Sequence, residues 1–268
     1  MSKRKQIRAV EEQEGLEALQ SLQQPGVDPL QVSLDSFFAD ALITEILHVV
    51  KSGKEATVYC CRAHPAQGVP YLAAKVYRSR NNRGFKNDSV YHEGRYMGDQ
   101  RTTRAIKNKS SVGRESQFSQ WVGHEFATLK MLYDAGATIP RPVARNNHAI
   151  IMEYLGDAQE PAPALQHVEL GPDEVYPIFE LLMDNIHLLL KHDIIHGDLS
   201  AYNILYWQGR ATIIDFPQAI DPRFNSHALE LLTRDIDNVC TYMARYGLKR
   251  DASQIAQRLW YQFQNARL

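Results

Sequence analysis

The chain has 268 residues, 44% of them hydrophobic and 23% charged, with a formal net charge of −1. That is enough apolar material for one large domain or two small lobes, and too little net charge to draw the whole protein to nucleic acid or a membrane surface. Its three cysteines, Cys60, Cys61 and Cys240, make neither a disulfide framework nor a zinc spacing and read as packing residues in a reducing compartment. The basic opening MSKRKQIRAV runs into EEQEGLEALQ, and nowhere do about 18 apolar residues follow one another, so a soluble, cytoplasmic protein without a signal peptide is expected.

Residues 1–33 are polar, rich in Gln and Glu, and broken by Pro25, Gly26 and Pro29, which predicts a flexible lead. Leu34 to Leu42 carries Phe37, Phe38 and Leu42 at helix-compatible spacing and reads as a short helix on a domain edge. The β-branched run Ile43 to Val50, the turn K-S-G-K-E-A and the run T-V-Y-C-C predict two strands joined around Gly53. With Lys51 and Lys54 alongside, such a turn can bring backbone N–H groups to a phosphate. Its single glycine matches no dinucleotide or P-loop fingerprint, and by itself it is an ordinary hairpin. YLAAKVY, from Tyr71 to Tyr77, is a strand interrupted by Lys75. A lysine there faces solvent at a sheet edge or points into a site, and the preceding hairpin favours a phosphate role.

Residues 78–114 hold ten Lys or Arg against Asp88, Glu93 and Asp99, a local balance of +7. The segment reads as a long loop, either a solvated insert or a contact for phosphate-rich or acidic partners. Trp121 to Ala135 predicts a helix with Val122, Phe126, Leu129, Leu132 and Tyr133 on one face and Gly136 as its stop. Glu125 on that helix is either solvated, as most helix glutamates are, or a partner that reaches Lys75 and orients it. Two strands follow, from Ile139 and from His148 to Leu155. Gly156 to Ala164, with Pro161 and Pro163, reads as a linker between lobes, and the backbone near Glu153 to Leu155 as a place for a nucleotide base. A helix from Gly171 to about His192 buries Val175, Ile178, Leu182, Ile186 and Leu189. Helices over Ser226 to Tyr246, with core positions Leu229, Leu232, Ile236, Val239 and Met243, and over Ala252 to Phe263 complete the chain.

Between those helical stretches lies HGDLSAYNILYWQGRATIID, His196 to Asp215. Asp198 precedes Asn203 by five residues and Asp215 follows it by twelve, across an apolar hairpin turning at Gly209 whose second strand is expected to end at Asp215. Phosphoryl transfer calls for such a set: one Asp orients the attacking hydroxyl and takes its proton, while an Asn and a second Asp hold Mg²⁺ against nucleotide phosphates. An isolated HxD is a common polar turn. The D-x4-N spacing and the strand before a second Asp favour phosphoryl transfer.

Taken together, S-G-K-E-A-T-V-Y (52–59), A-K-V-Y (74–77), W-V-G-H-E-F (121–126), H-G-D-L-S-A-Y-N-I-L (196–205) and I-I-D-F-P-Q (213–218) resemble the RIO family of atypical protein kinases, nearest its first subfamily. The resemblance implies an α+β, two-lobed kinase-like fold: a β-rich lobe over 34–155 carrying the basic insert 78–114, and a truncated helical lobe over 156–268, with MgATP between them. It implies that Ser52, Gly53, Lys54, Glu55 and Ala56 cover the phosphates. Lys75 would contact the phosphates and pair with Glu125, and Leu155, next to Glu153, would meet adenine. By the same resemblance Asp198 is the catalytic aspartate and Asn203 and Asp215 are metal ligands, with Asp215 also an acceptor of phosphate. The 53 residues after Asp215 hold no A-P-E signature, and Phe216-Pro217 departs from the residues usual after that aspartate in the first subfamily. No long basic tail follows the last helix, which weakens the expectation of ribosomal docking.

Three functions compete. The first is a Mg²⁺-dependent serine/threonine kinase or ATPase acting on itself or a protein. The second is a small-molecule phosphotransferase of the aminoglycoside type, whose loop also begins HGDL; the 52–59 motif and the basic insert argue against it. The third is an ATP-dependent assembly factor that binds RNA or a ribosomal particle.

Overall fold

The computed structural model describes residues 29–78 and 111–268, with the side chains of 29–32 and 111–117 outside that description. The lead over 1–28 and the insert over 79–110 therefore lie outside the described residues. The architecture is α+β, an antiparallel sheet toward the N-terminus and helices toward the C-terminus. The chain divides into two compact units. Among the described residues the first comprises 29–78, 111–127 and 141–154, the second 128–140 and 155–268.

The first unit is built on five strands, β1 (Ile43–Ser52), β2 (Ala56–Ala63), β3 (Tyr71–Tyr77), β4 (Pro142–Arg145) and β5 (Ala149–Glu153), in the order β1-β2-β3-β5-β4. Each neighbouring pair is antiparallel, and Lys75 pairs with Val58 on one side and Ile150 on the other. Side chains of a strand alternate between faces, so Tyr59, Cys61, Leu72, Ala74, Val76 and Ile151 all point to one side. Helix α1 (Pro29–Ala39) covers them with Leu34 and Phe37, three residues apart and both buried. Removing a side chain of this size from water stabilises the fold by about 2 kcal/mol. The helix starts at Pro29, ahead of Leu34, because proline is compatible with a first helical turn. Asn146, in the β4–β5 turn, ties it down by donating to the carbonyl of Ser33 at 2.6 Å and the Ser36 hydroxyl at 2.9 Å. On the other side of the sheet Tyr77 meets Trp121 edge-on at 4.8 Å between ring centres.

Trp121 belongs to α2 (Ser111–Asp134), ten residues longer at its start than the apolar pattern suggested. Val122, Leu129 and Leu132 are buried, whereas Tyr133 is exposed. The buried face runs through Phe118, Val122, Glu125, Thr128, Leu129 and Leu132, centred to one side of the five expected positions, and Tyr133 lies beyond its edge. The helix ends where Gly136 takes φ +93°: Ala137 N–H reaches back to Leu132 and Gly136 N–H to Tyr133. That left-handed stop favours glycine.

In the second unit α3 (Pro172–Lys191) begins after Gly171, whose N–H is accepted by Glu174 Oε2 at 2.7 Å. Its apolar positions Val175, Ile178, Leu182, Ile186 and Leu189 are all buried. The hairpin β6 (Ile204–Trp207) and β7 (Arg210–Ile213) follows, then α4 (Ala228–Ala244) and α5 (Ala252–Gln264). On α4, Leu232, Ile236, Val239 and Met243 are core residues, but Leu229 in the first turn is exposed. The stretch after Leu155 forms an ordered turn. Asp157 Oδ1 accepts from the N–H groups of Gln159 and Glu160 at 2.8 and 2.9 Å. Gly156 sits at φ +137°, where an added Cβ would come within 2.6 Å of the Glu160 carbonyl. Among the described residues no helix is long and apolar enough to cross a membrane.

Asn185 is the one polar side chain buried within the α3 face. Its Oδ1 accepts from Thr138 N–H at 2.6 Å, and its Nδ2 donates to Thr138 Oγ1 and the Leu181 carbonyl. Thr138 in turn offers its carbonyl to Ile213 N–H, which fixes the end of β7. Replacing Asn185 by Leu keeps the branched shape of the side chain and strands a buried N–H, so urea unfolding should show a loss of roughly 2 kcal/mol. A loss under ~0.5 kcal/mol would mean water replaces the amide.

Candidate active site

The residues expected to serve the nucleotide divide between the units. Ser52 to Ala56, Lys75, Glu125 and Glu153 lie in the first, and Leu155, Asp198, Asn203 and Asp215 in the second.

In the first unit β1 turns into β2 at Gly53, whose N–H donates to the Ala56 carbonyl at 2.9 Å. Arg78 holds the base of that turn, reaching Ser52 Oγ at 2.7 Å and Thr57 Oγ1 at 3.3 Å. Lys75, central in β3, places Nζ 2.8 Å from Glu125 Oε1. The two side chains are only 11% and 3% exposed. Water screens such a pair poorly, and removing one partner would leave an uncompensated buried charge at a cost of ~3–5 kcal/mol. Glu125 Oε2 is buried without a hydrogen-bond partner among the described residues. Glu153 accepts the Arg141 N–H at 3.0 Å and so fastens the strand pair β4–β5 at its end. Leu155 offers its carbonyl to Ala162 N–H, closing the turn that follows it.

In the second unit the loop between α3 and β6 is held at both ends. Ile195 and Ile220 exchange backbone hydrogen bonds at 3.0 and 2.9 Å, bringing the segment after Asp215 back beside the loop. His196 is buried between these strands. Its Nδ1 accepts the Asp198 N–H at 3.3 Å, so the ring proton sits on Nε2 and is donated to the Ile214 carbonyl at 3.1 Å. Phe216 packs on this ring at 4.7 Å and is itself buried.

Asp198 keeps an exposed edge while protein surrounds the rest of its carboxyl. Burial raises its pKa, the Arg234 cation and the Asn203 hydrogen bond oppose the rise, and Asp215 adds to it. Asn203 Nδ2 donates to the Asp198 carbonyl at 2.8 Å and to Asp198 Oδ2 at 3.2 Å. With the NH₂ end so engaged, Oδ1 is the atom this amide can offer a cation. β7 ends at Ile213, two residues short of the expected strand end: Ile214 N–H still meets the carbonyl of its register partner Asn203 at 2.9 Å, but Asn203 N–H turns back to the Ser200 carbonyl at 2.9 Å and does not return the ladder bond. Asp215 then adopts φ +73°, a left-handed conformation costing an L-residue about 1–2 kcal/mol. This break in the strand sets Asp215 apart from the extended direction of β7.

An amide oxygen and a carboxylate form a hard, all-oxygen donor set suited to Mg²⁺ that keeps phosphate and water ligands. Among the described residues no three His, Cys, Asp or Glu side chains converge into a preformed metal cage. The donors present fit a metal shared with a nucleotide better than a structural ion.

Asp235, on α4, was not legible as a site residue. It is 2% exposed and accepts the N–H groups of Gly197 at 2.8 Å and Leu199 at 2.9 Å, one on each carboxylate oxygen. A carboxylate at an interior position of an otherwise apolar helical pattern is the only trace it leaves in the sequence. Burial pushes its pKa up from 3.8 to about 7, against the pull of the two N–H groups and Arg234. An unfolded Asp releases its proton near 3.8, so the associated stability is complete below that pH and is lost as pH rises through about 7. Urea unfolding of wild type and Asp235→Asn between pH 5 and 8 should show the wild type losing stability relative to the variant as pH rises. A difference that stays flat would mean the carboxyl is ionised throughout.

Comparison with known proteins adds a second line of observation. A model of the RIO domain matches residues 57–255. The chain is 30% identical over 207 residues to the RIO-type serine/threonine-protein kinase Rio1 of Haloferax volcanii, covering 77% of this chain and 66% of that protein. It is 30% identical over 190 residues to the protein of the same name in Thermoplasma acidophilum, 71% of this chain and 94% of that one. With the human serine/threonine-protein kinase RIO3 it shares 27% identity over 247 residues, 87% of this chain but 45% of its relative. The chain thus spans about two thirds of the Haloferax protein and less than half of the human one.

Proposed function

This chain belongs to the RIO family, and we propose that it is a Mg²⁺-dependent, ATP-using serine/threonine kinase or ATPase that phosphorylates itself or a protein. The observation that carries the reading is the Asp198–Asn203 pair, 3.2 Å apart at a loop where Asp198 keeps an open edge. Bound MgATP would supply the transferable phosphoryl group and the positive charge that neutralises it. Asp198 then orients an incoming hydroxyl and accepts its proton, its carboxyl steadied by the Asn203 amide. Asn203 Oδ1 and the Asp215 carboxylate hold the metal. Lys75, braced by Glu125, orients phosphate oxygens, and the turn over 52–56 covers them. Leu155 and the backbone near Glu153 take the base.

The two chemistries differ in the acceptor, a serine hydroxyl or the Asp215 carboxylate itself. Incubation with labelled ATP and Mg²⁺ separates them through acid-stable phosphoserine and hydroxylamine-sensitive acyl phosphate. Asp198→Ala should lose phosphoserine. Asp215→Asn should lose both labels together with the ATP-dependent melting shift, which corresponds to about 2.7 kcal/mol at a hundredfold excess over the dissociation constant. An Asp215→Asn protein with the wild-type shift would remove Asp215 from the metal site. Wild type with phosphoserine and no hydroxylamine-sensitive label would leave the serine kinase alone.

Action on a ribosomal or other RNA-containing particle is part of the same proposal, supported by the +7 balance of residues 78–114. Neutralising Arg101, Arg104, Lys107 and Lys109 should weaken RNA binding and flatten its salt dependence while ATP turnover holds. An unchanged salt slope would leave the segment a solvated loop.

A further inference from the structure

Gly197 and Leu199, the neighbours of Asp198, carry four peptide groups between them, and each meets a side chain of α4. Asp235 takes the two N–H groups, at 2.8 and 2.9 Å. As an acceptor it can do nothing for the carbonyls. Those are met by donors flanking it: the Arg234 guanidinium bonds to the Gly197 carbonyl, and Asn238 Nδ2 donates to the Leu199 carbonyl at 2.7 Å. Positions 234 and 238 are one helical turn apart, so the two donors stand side by side on the helix.

The division of labour has a mechanical consequence. Two bonds to one carboxylate define a line about which residues 197–199 remain free to rock, and rocking changes where the Asp198 side chain aims. Contacts to the carbonyls from two further points remove that freedom. A hydroxyl and its base must stand within hydrogen-bond reach, and a misplacement of about 1 Å is enough to slow such a step on the order of a hundredfold.

We propose that Arg234 and Asn238 are positioning residues for phosphoryl transfer, fixing the Gly197 and Leu199 carbonyls so that Asp198 faces its acceptor. The role rests on the reading of Asp198 as the base. Neither residue touches nucleotide or acceptor in this account, so both act on turnover and leave ATP affinity alone.

The test uses the full chain and follows ATP turnover and autophosphorylation in Arg234→Met, Arg234→Lys, Asn238→Leu and Asp198→Asn. Arg234→Met and Asn238→Leu should each lower kcat about tenfold or more, with KM for ATP changed less than about threefold. Arg234→Lys, which retains a donor, should recover most of the loss. In an Asp198→Asn background Arg234→Met should cause no further fall, because both changes then act on one group. Either variant serves if the other proves unstable. Turnover within twofold of wild type in both, a rise in KM without a fall in kcat, or an equal fall in the Asp198→Asn background would overturn the proposal. If Asp198→Asn itself turns over like wild type, the reading of Asp198 falls. If it is inactive and Arg234→Met is fully active, only the positioning role falls.

Discussion

A loop that offers a carboxylate to solvent has no helix or sheet ladder to satisfy its own peptide groups, and buried peptide groups cannot be left unpaired without cost. Here the N–H groups on either side of Asp198 are met by one buried acid. Asp235 sits under the loop with an N–H of the chain on each oxygen, and the ordering of His196, Asp198 and Asn203 depends on that contact. His196 extends it sideways, joining the Asp198 N–H to the Ile214 carbonyl through a single ring. The segment that carries Asp215 is therefore linked to the loop that carries Asp198 by a tautomer as well as by backbone pairing. Burying an acid is unfavourable to its charged form, which is why burial and hydrogen bonding oppose one another at this residue.

The first unit solves a related problem with a pair of charges. Lys75 interrupts a strand whose neighbours are core residues, and its side chain is only 11% exposed. Glu125 compensates it from a helix fifty residues later in the chain. A hydrophobic pair of similar volume would serve stability as well or better, so the ion pair is weak evidence for stability and better evidence for a function that needs a fixed cation. Arg78 performs a different service, joining the two sides of the glycine turn through Ser52 and Thr57.

Phe216 and Pro217 are both buried. Phe216 lies against His196, so the residue following Asp215 packs on the ring that meets the Asp198 N–H. The left-handed conformation of Asp215 falls between this packing and the bond from Ile214 to Asn203. Both flanks of Asp215 are thus fixed by contacts that its own side chain does not make.

Much of the fold was legible because local chemistry decides it. The apolar run YLAAKVY, interrupted only by Lys75, matches β3 residue for residue, Gly136 and Gly209 stand where positive φ is needed, and the periodicity from Val175 to Leu189 matches the buried face of α3. Asp198, Asn203 and Asp215 were legible because a short loop and a hairpin hold them at fixed spacing whatever surrounds them. The exposure of Tyr133 and Leu229 was not, since a helical repeat names a stripe and only the packed neighbours fix its width. Nor was the strand's end at Ile213, where Asn203 N–H turns back to Ser200 instead of completing the ladder. Asp235, Arg234 and Asn238 lie more than thirty residues from the loop they hold, at positions with no spacing rule to connect them. By itself the sequence determined the local chemistry of the loop, while tertiary packing decided what supports it, because those hydrogen bonds exist only once α4 lies beneath it.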